Sequence, residues 1–423
     1  MEGVESEAAE AAPGAGPGPL SGLKVLDLSR VLAGPWSSQI LGDLGAEVWK
    51  IERPGAGDDT RTWGPPFLQG SEGVSDAAYF LCANRNKRSV AIDFGKPEGA
   101  EIVRRMAASA DIVIENFKTG ALARYGLDYA SLSAVNPRLI YCSITGFGQT
   151  GPYATRGGYD FLIQGMSGLM SVTGRPNGEP GAGPTKVGLP VSDLCTGLYA
   201  ATSILAALHH RDVAGEGQHI DCALLDSQVA LLVNQGMNYL VGGQIPVRLG
   251  NAHPNVVPYR DFETSDGHVL VACGNDGQFQ SLCRLLGLSE LADDPRFKKN
   301  DGRLKHRVEV EAKLAEAIRS WGMAAFFAAM EEAGVPGGPI NRIDQALTDP
   351  QIVSRGLLRE MTRRDGAPVT VIGYPGKLSR TPATYRIAPQ TLGEDTDEVL
   401  ALFGVDEAAR GRLRAQGVIN GGR

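Results

Sequence analysis

One rhythm constrains this chain more than anything else. Between residues 24 and 144, short apolar runs alternate with segments of helical spacing. Lys24–Ser29 reads as a strand. Trp36, Ile40, Leu41 and Leu44 then recur at helical spacing, with Pro35 where a helix start tolerates it and Gly45 suited to end the helix. Glu47–Glu52 reads as the next strand. Strand, helix and strand within about 30 residues make a βαβ unit, whose strands run parallel. The pattern repeats as strand Ser89–Phe94, helix Pro97–Ala110, strand Asp111–Phe117, short helices Thr119–Tyr125 and Tyr129–Val135, and strand Leu139–Ile144. This predicts an α/β fold with a Rossmann-like, doubly wound domain, in which ligands bind beyond the carboxyl ends of the strands. The turn after the first strand, Ser29–Pro35, lacks GxGxxG, so a dinucleotide site of the usual kind is not expected.

Residues 145–192 are dense in glycine, and loops of that length in a compact domain are commonly functional. Asp193–Arg211 reads as a long apolar helix, Gln218–Leu224 as a strand and Leu225–Val241 as another helix. From about residue 250 the pattern changes. A hairpin is expected over Tyr259–Thr264 and His268–Cys273, with helices at Gln278–Leu286, Lys305–Ser320 and Ala324–Ala333. Strands at Leu357–Thr362 and Val369–Gly373 and a helix over Glu394–Leu402 follow.

Composition excludes several function classes. Forty-one basic side chains against 48 acidic ones leave a net charge of −7 spread along the chain, which argues against a nucleic-acid partner. The longest apolar run, Cys195–Leu208, has 14 residues, short of the roughly 20 that a membrane span needs, so no membrane partner is expected. The six cysteines stand singly, four of them inside apolar runs, and read as core residues of a protein in a reducing compartment. No histidine falls in a metal-ligand spacing, so no metal is expected. Residues 1–19 are acidic and rich in Ala, Gly and Pro, and read as a flexible tail. They resemble neither a secretory signal nor a transit peptide. The expected location is the cytoplasm, or the mitochondrial matrix for a chain whose leader has been removed.

Asp193 lies in the first turn of the long apolar helix. On its residues alone it reads as a helix cap, with the helix dipole favouring the charged form. Tyr159 and Asp160 close the glycine-rich loop. Arg53 ends the second strand, at the ligand-binding end of a parallel sheet. With Arg61, the cations of Asn84–Arg88 and Arg124, it forms either a solvated charged face or, taken together, a site for an anionic, phosphate-bearing ligand. Gly250–Pro254, carrying His253, and Gly274–Gly277, carrying Asn275, read as turns or as functional loops. There is no GxSxG elbow and no GxxxxGK[ST] loop, so neither a hydrolase triad of that type nor a P-loop is supported.

As ordered blocks, these residues resemble the family III CoA-transferases, the group that contains formyl-CoA:oxalate CoA-transferase. The blocks are Leu23–Ser29, Leu44–Val48, Lys50–Arg53, Asn86–Ser89, Glu115–Phe117 and Gly393–Glu398, and the likeness runs from about Leu20 to the last helix. The resemblance implies that Asp193, ahead of Gly215–Gln218, is the catalytic nucleophile. It places coenzyme A contacts at Arg53, Ile92, Asp93, Phe94, Gly95, Asn116, Phe117, Lys118, Arg124, Gly157, Gly158, Tyr159 and Asp160. Arg61, His253 and Asn275 are weaker substrate-binding candidates. Leu32 stands where the formyl-CoA branch carries Gln, and that branch's four-glycine loop is missing, which argues against oxalate. Asp58–Phe67, Tyr141–Gly146 and Gly338–Asn341 look like the branch that joins succinyl-CoA to hydroxymethylglutarate or glutarate.

The implied substrates are therefore an acyl-CoA and a dicarboxylic acid, with coenzyme A thioesters as substrates, an aspartyl-CoA intermediate and no permanently bound cofactor. The implied assembly is an interlocked-ring homodimer. In it, a large domain over residues 20–220 is completed by 360–423, a linker helix spans 221–244, and a smaller α+β domain spans 245–359. A loop near Gly250–Pro254 or Gly274–Gly277 would exclude water. Two alternatives remain. In an α-methylacyl-CoA racemase the histidine base falls on Tyr159, and a phenol with a pKa of about 10 is a poor base. A non-catalytic acyl-CoA binding protein would have no use for Asp193.

Overall fold

The computed structural model describes residues 18–70, 73 and 75–421. The expected tail falls outside them except for Gly18 and Pro19. The chain folds as two units: residues up to Ser167 with Gly188–Leu231 and everything from Ser354, and a second of Gly168–Val187 with Leu232–Val353.

The first unit is built on a seven-stranded sheet. Its strands are β1 (Lys24–Asp27), β2 (Glu47–Glu52), β3 (Lys87–Ile92), β4 (Ile112–Glu115), β5 (Ile140–Thr145), β6 (His219–Ala223) and β7 (Ile419–Asn420). Their spatial order is β7-β3-β2-β1-β4-β5-β6. The six strands from β1 to β6 pair in parallel and β7 runs antiparallel along β3. Without β7 this is the 3-2-1-4-5-6 order of a doubly wound nucleotide-type sheet.

The strands are apolar on both faces because helices cover both. Alternate residues feed two cores. Leu26, Trp49, Val90, Val113 and Tyr141 pack on one face with the helices Pro97–Ala108 and Thr396–Leu402. Val25, Val48, Ile112, Ile140 and Cys142 pack on the other with Leu41 and Ile204, from the helices Ala33–Asp43 and Val191–Ala214. The latter has 24 residues and is long and apolar enough to cross a bilayer by length and composition alone. Here Gly197, Ala200, Ile204 and Leu208 are buried in the protein, as in a core helix. It meets its neighbour at close range, since a Cβ on Gly197 would lie 2.6 Å from the Ala33 carbonyl oxygen.

The second unit carries a three-stranded antiparallel sheet in the order Gly337–Pro339, His268–Ala272, Tyr259–Glu263. Helices Asp276–Leu285, Arg307–Ile318 and Met323–Glu332 pack around Val269, Phe279, Leu314 and Phe326. Two expectations need correction. The single helix expected over Leu225–Val241 is two, Leu224–Ala230 and Val233–Gly242, parted at Leu231–Leu232, where Val233 takes a positive φ of 32°. The boundary between the units falls at that break. Residues 168–187, placed by the sequence in the large domain, belong to the second unit.

Candidate active site

Because the strands are parallel, the loops after β1 to β5 all emerge at one end of the sheet. Two cavities open there. One, of about 230 Å³, lies over β1, β2 and β3 and is lined by Arg53, Ile92, Asp93, Phe94, Gly95 and Phe117, among others. The second, of about 650 Å³, lies over β1, β4 and β5. Asn116, Phe117, Lys118, Gly157, Gly158, Tyr159 and Asp193 line it. Arg30, Asp59 and Phe117 belong to the walls of both.

Asp193 reaches the larger cavity from the first turn of the helix Val191–Ala214. Its side chain does not cap that helix. Asp160 does so in its place: one of its carboxylate oxygens accepts the Ser192 N–H at 2.8 Å and the Asp193 N–H at 3.4 Å, and the other accepts from Gln164 Nε2 at 2.7 Å. The Asp193 carboxylate accepts no hydrogen bond among the described residues. Burial, reinforced by the negative charge of Asp160, pushes its pKa up from 3.8 to about 7. Tyr79 lies within the same field. Burial, then Asp193, Cys82 and Asp160, raise its phenol to about 12, so it stays protonated at neutral pH and able to donate. Its ring meets Trp63 edge-on at 5.3 Å, and Trp63 is part of the cavity wall.

Two glycines set the loop behind this site. A Cβ on Gly146, just past β5, would lie 2.6 Å from the Gly158 Cα, and one on Gly158 would lie 2.5 Å from the Gly146 Cα. Only glycines let the strands' exit and the loop carrying Tyr159 and Asp160 cross so closely. Opposite, the turn after β1 holds Val31 at φ 69°, a genuine outlier for a β-branched residue, beside Leu32 and Ala33 in the same wall.

Cations ring the cleft. Arg53 and Lys118 are exposed. Arg30 pairs with Asp59 at 3.0 Å and lies 5.2 Å over the Phe117 ring. Arg156 stacks 4.6 Å from the Tyr153 ring and lines the larger cavity. Asn116 fixes the Arg30 backbone from both sides, accepting its N–H at 2.8 Å and donating to its carbonyl at 2.6 Å. In a chain of net charge −7, such clustering suits an anionic ligand.

Other expected site residues are occupied elsewhere. Arg61 is 5% exposed. Its guanidinium grips Glu52 through two 2.7 Å contacts and Asp76 through a third, over the Phe80 ring, so its charge is engaged in buried ion pairs. Asn275 caps the helix Asp276–Leu285 by accepting the Gln278 N–H at 2.9 Å. His253 accepts the Asn255 N–H at 3.0 Å through Nδ1 and packs on Tyr259. Both lie in the second unit and line neither cavity. Arg124 lines neither cavity but stacks 4.6 Å from Tyr125, which lines the smaller one. The sequence reading missed Arg30, Val31, Trp63, Tyr79 and Arg156. Arg30 and Val31 lie in the turn after β1, Arg156 in the glycine-rich loop and Trp63 in the Asp58–Phe67 block, whereas Tyr79 carried no signal.

Residues 20–396 match the model of CoA-transferase family III. A succinate–glutarate CoA-transferase of Agrobacterium fabrum is 51% identical over 90% of this chain and 95% of its own length. The human succinyl-CoA:glutarate CoA-transferase is 42% identical over 95% of this chain and 90% of its own. The crystal structure of a CaiB/BaiF family protein from Brucella suis superposes with a TM-score of 0.81 at 49% identity, covering 92% of this chain and all of that one.

Proposed function

Since the chain belongs to CoA-transferase family III, we propose that it moves coenzyme A from succinyl-CoA to glutarate or a similar dicarboxylate through an aspartyl-CoA intermediate on Asp193. One observation carries this reading: an unpartnered carboxylate, held near neutrality by burial, faces a cation-ringed cavity. The two relatives named for glutarate support the choice of acceptor.

The steps balance without an external proton or electron. The Asp193 carboxylate attacks the donor thioester carbon, the C–S bond breaks, and a mixed anhydride and coenzyme A thiolate form. The thiolate attacks the aspartyl carbon of the anhydride and expels succinate, leaving an aspartyl thioester. The acceptor carboxylate attacks that thioester, thiolate leaves, and a second anhydride forms. Thiolate then attacks the acceptor's acyl carbon and frees Asp193. Splitting one exchange into such steps is nucleophilic catalysis. Poor solvation of the carboxylate raises both its pKa and its reactivity. Each addition creates an oxyanion that needs donors. Backbone N–H groups in the first turn of the helix Ala33–Asp43 have no intrahelical acceptor, and Leu32 and Ala33 line the cavity. The smaller cavity, with Arg53 and Asp93–Gly95, suits the nucleotide end of coenzyme A, and Arg30 and Phe117 join it to the reacting end.

Exposed apolar side chains support a homodimer, read as interlocked rings. They are Leu198, Tyr199, Val213 and Val229 in the first unit, and Met237, Leu240 and Val241 in the second. Elution from a sizing column at the single-chain mass would contradict it. The six free thiols support a reducing compartment, which we take to be the cytoplasm. Intact-mass analysis after mixing with succinyl-CoA tests the chemistry: a coenzyme A adduct that hydroxylamine removes, mapping to Asp193, is expected. An adduct elsewhere refutes the assignment. A panel of dicarboxylates, with products identified by mass, tests the acceptor.

A further inference from the structure

The turn that carries Leu32 and Ala33 to the larger cavity is held from outside it by buried charges. Lys50 Nζ donates to the Ser29 carbonyl at 3.1 Å and to Asp58 at 2.9 Å. Both carboxylate oxygens of Asp58 face the Val31 N–H at 3.3 Å, and one of them is fixed by the Thr60 N–H and hydroxyl at 3.0 and 2.8 Å. On the far side of the turn, Lys87 Nζ donates to the Pro35 carbonyl at 2.9 Å, to Asn84 at 3.0 Å and to Asp27 at 3.2 Å. Lys50, Asp58 and Lys87 are 1%, 1% and 2% exposed; none lines the cavity that holds Asp193, while Lys50 and Asp58 form part of the wall of the smaller cavity.

A buried ion pair is by itself weak evidence of a role in stability. Buried ion pairs are often matched or bettered by apolar side chains of the same size. What the charges do accomplish is local. They tie the backbone at residues 29, 31 and 35, and between those ties Val31 keeps a positive φ that a β-branched residue avoids. Strained backbone persists where its surroundings over-determine it, commonly at working sites.

We propose that the Lys50–Asp58 pair, assisted by Lys87, is a positioning device that takes the Val31 N–H and fixes the turn so that the Leu32 and Ala33 N–H groups meet the oxyanion formed at Asp193. The inference rests on the Asp193 reading above. Small displacements of such donors cost rate rather than affinity. Asp58→Asn, nearly the same shape without the charge, is therefore expected to lower kcat about 10- to 100-fold and to change KM for succinyl-CoA less than about threefold. Val31→Gly, which adopts positive φ freely, is expected to recover a large part of that loss when added to Asp58→Asn.

Ser89→Ala is the structural control. It removes the 2.6 Å bond from Ser89 to one Glu52 oxygen and the acceptor of the Gly393 N–H, leaves the Asp58 N–H bond to the other Glu52 oxygen and every bond to the turn in place, and should leave kcat within about twofold. The inference is overturned if folded Asp58→Asn keeps wild-type kcat, if Ser89→Ala loses kcat in parallel, or if Val31→Gly rescues nothing. Should Asp58→Asn fail to fold, Thr60→Val removes one of the bonds that fix Asp58 while sparing the Lys50 pair. A lowered kcat at unchanged KM then supports the proposal, and an unchanged kcat overturns it. Intact mass is read in the same samples. A wild-type enzyme that forms no coenzyme A adduct refutes the Asp193 reading alone, because the kcat comparison judges the positioning device separately.

Discussion

Replacing Asp193 by Asn should make the protein inactive and more stable at once. The carboxyl group has a pKa of about 7 in the fold against 3.8 in the open chain. A carboxyl group whose folded pKa is raised binds its proton more tightly when folded, so the folded state loses stability as pH rises from the unfolded value to the folded one. About three units at 1.36 kcal/mol each set a ceiling of about 4 kcal/mol. Asn has nearly the same volume and no charge, so the penalty vanishes. Asp193→Asn should unfold at a temperature about 3–5 °C above wild type at pH 8, with the margin shrinking to about a third at pH 5, where the wild-type carboxyl is already protonated. Calorimetry of both proteins across pH 5–8 reads this directly, with a transfer assay showing loss of activity. A variant that melts no higher than wild type at pH 8, or higher by the same margin at both pH values, would refute the reasoning. The wild-type rate should follow the same group. Only the carboxylate attacks, so kcat/KM should rise with pH up to about 7 and then level off.

Arg61→Ala strips a buried partner from Glu52 and Asp76 and should cost about 3–5 kcal/mol in urea unfolding, with KM for both substrates unchanged in the folded fraction. Gly158→Ala drives a Cβ to 2.5 Å from the Gly146 backbone. It should cost about 1–3 kcal/mol and abolish transfer while circular dichroism still reports the sheet; full activity would show that the crossing can relax. Arg53→Ala should raise KM for the thioester about tenfold or more, as loss of a charged phosphate contact does, with kcat nearly intact. A fall in kcat at constant KM would move Arg53 out of the binding role.

The parallel sheet was legible because its strands are buried on both faces and alternate with amphipathic helices, so the pattern repeats often enough to read. β7 was not legible: two residues, Ile419–Asn420, carry no period. Nor was the break at Leu231–Leu232, which interrupts an apolar run with no glycine or proline to mark it. For the site, Asp193 was found through the resemblance, since its position alone reads as a cap. The structure gives the capping to Asp160, 33 residues earlier, a distance that local pattern does not bridge. Tyr79 sits in the four-residue helix Ala78–Leu81, too short to signal its place. Arg61 misled because a cation in a conspicuous motif looks like a ligand group until its partners Glu52 and Asp76 are seen.

The edge strand β7 has a consequence for biosynthesis. β3 leaves the ribosome early, yet the strand that closes its flank follows about 330 residues later, after the entire second unit. At about 5–20 residues per second, that flank waits on the order of 15–60 s, its backbone unpaired and able to recruit another chain. Within a polysome, several nascent copies of different lengths pass through this window together. Holding them apart, by slow initiation or by a chaperone shielding the open flank, thus becomes as necessary to yield as the stability of the finished molecule.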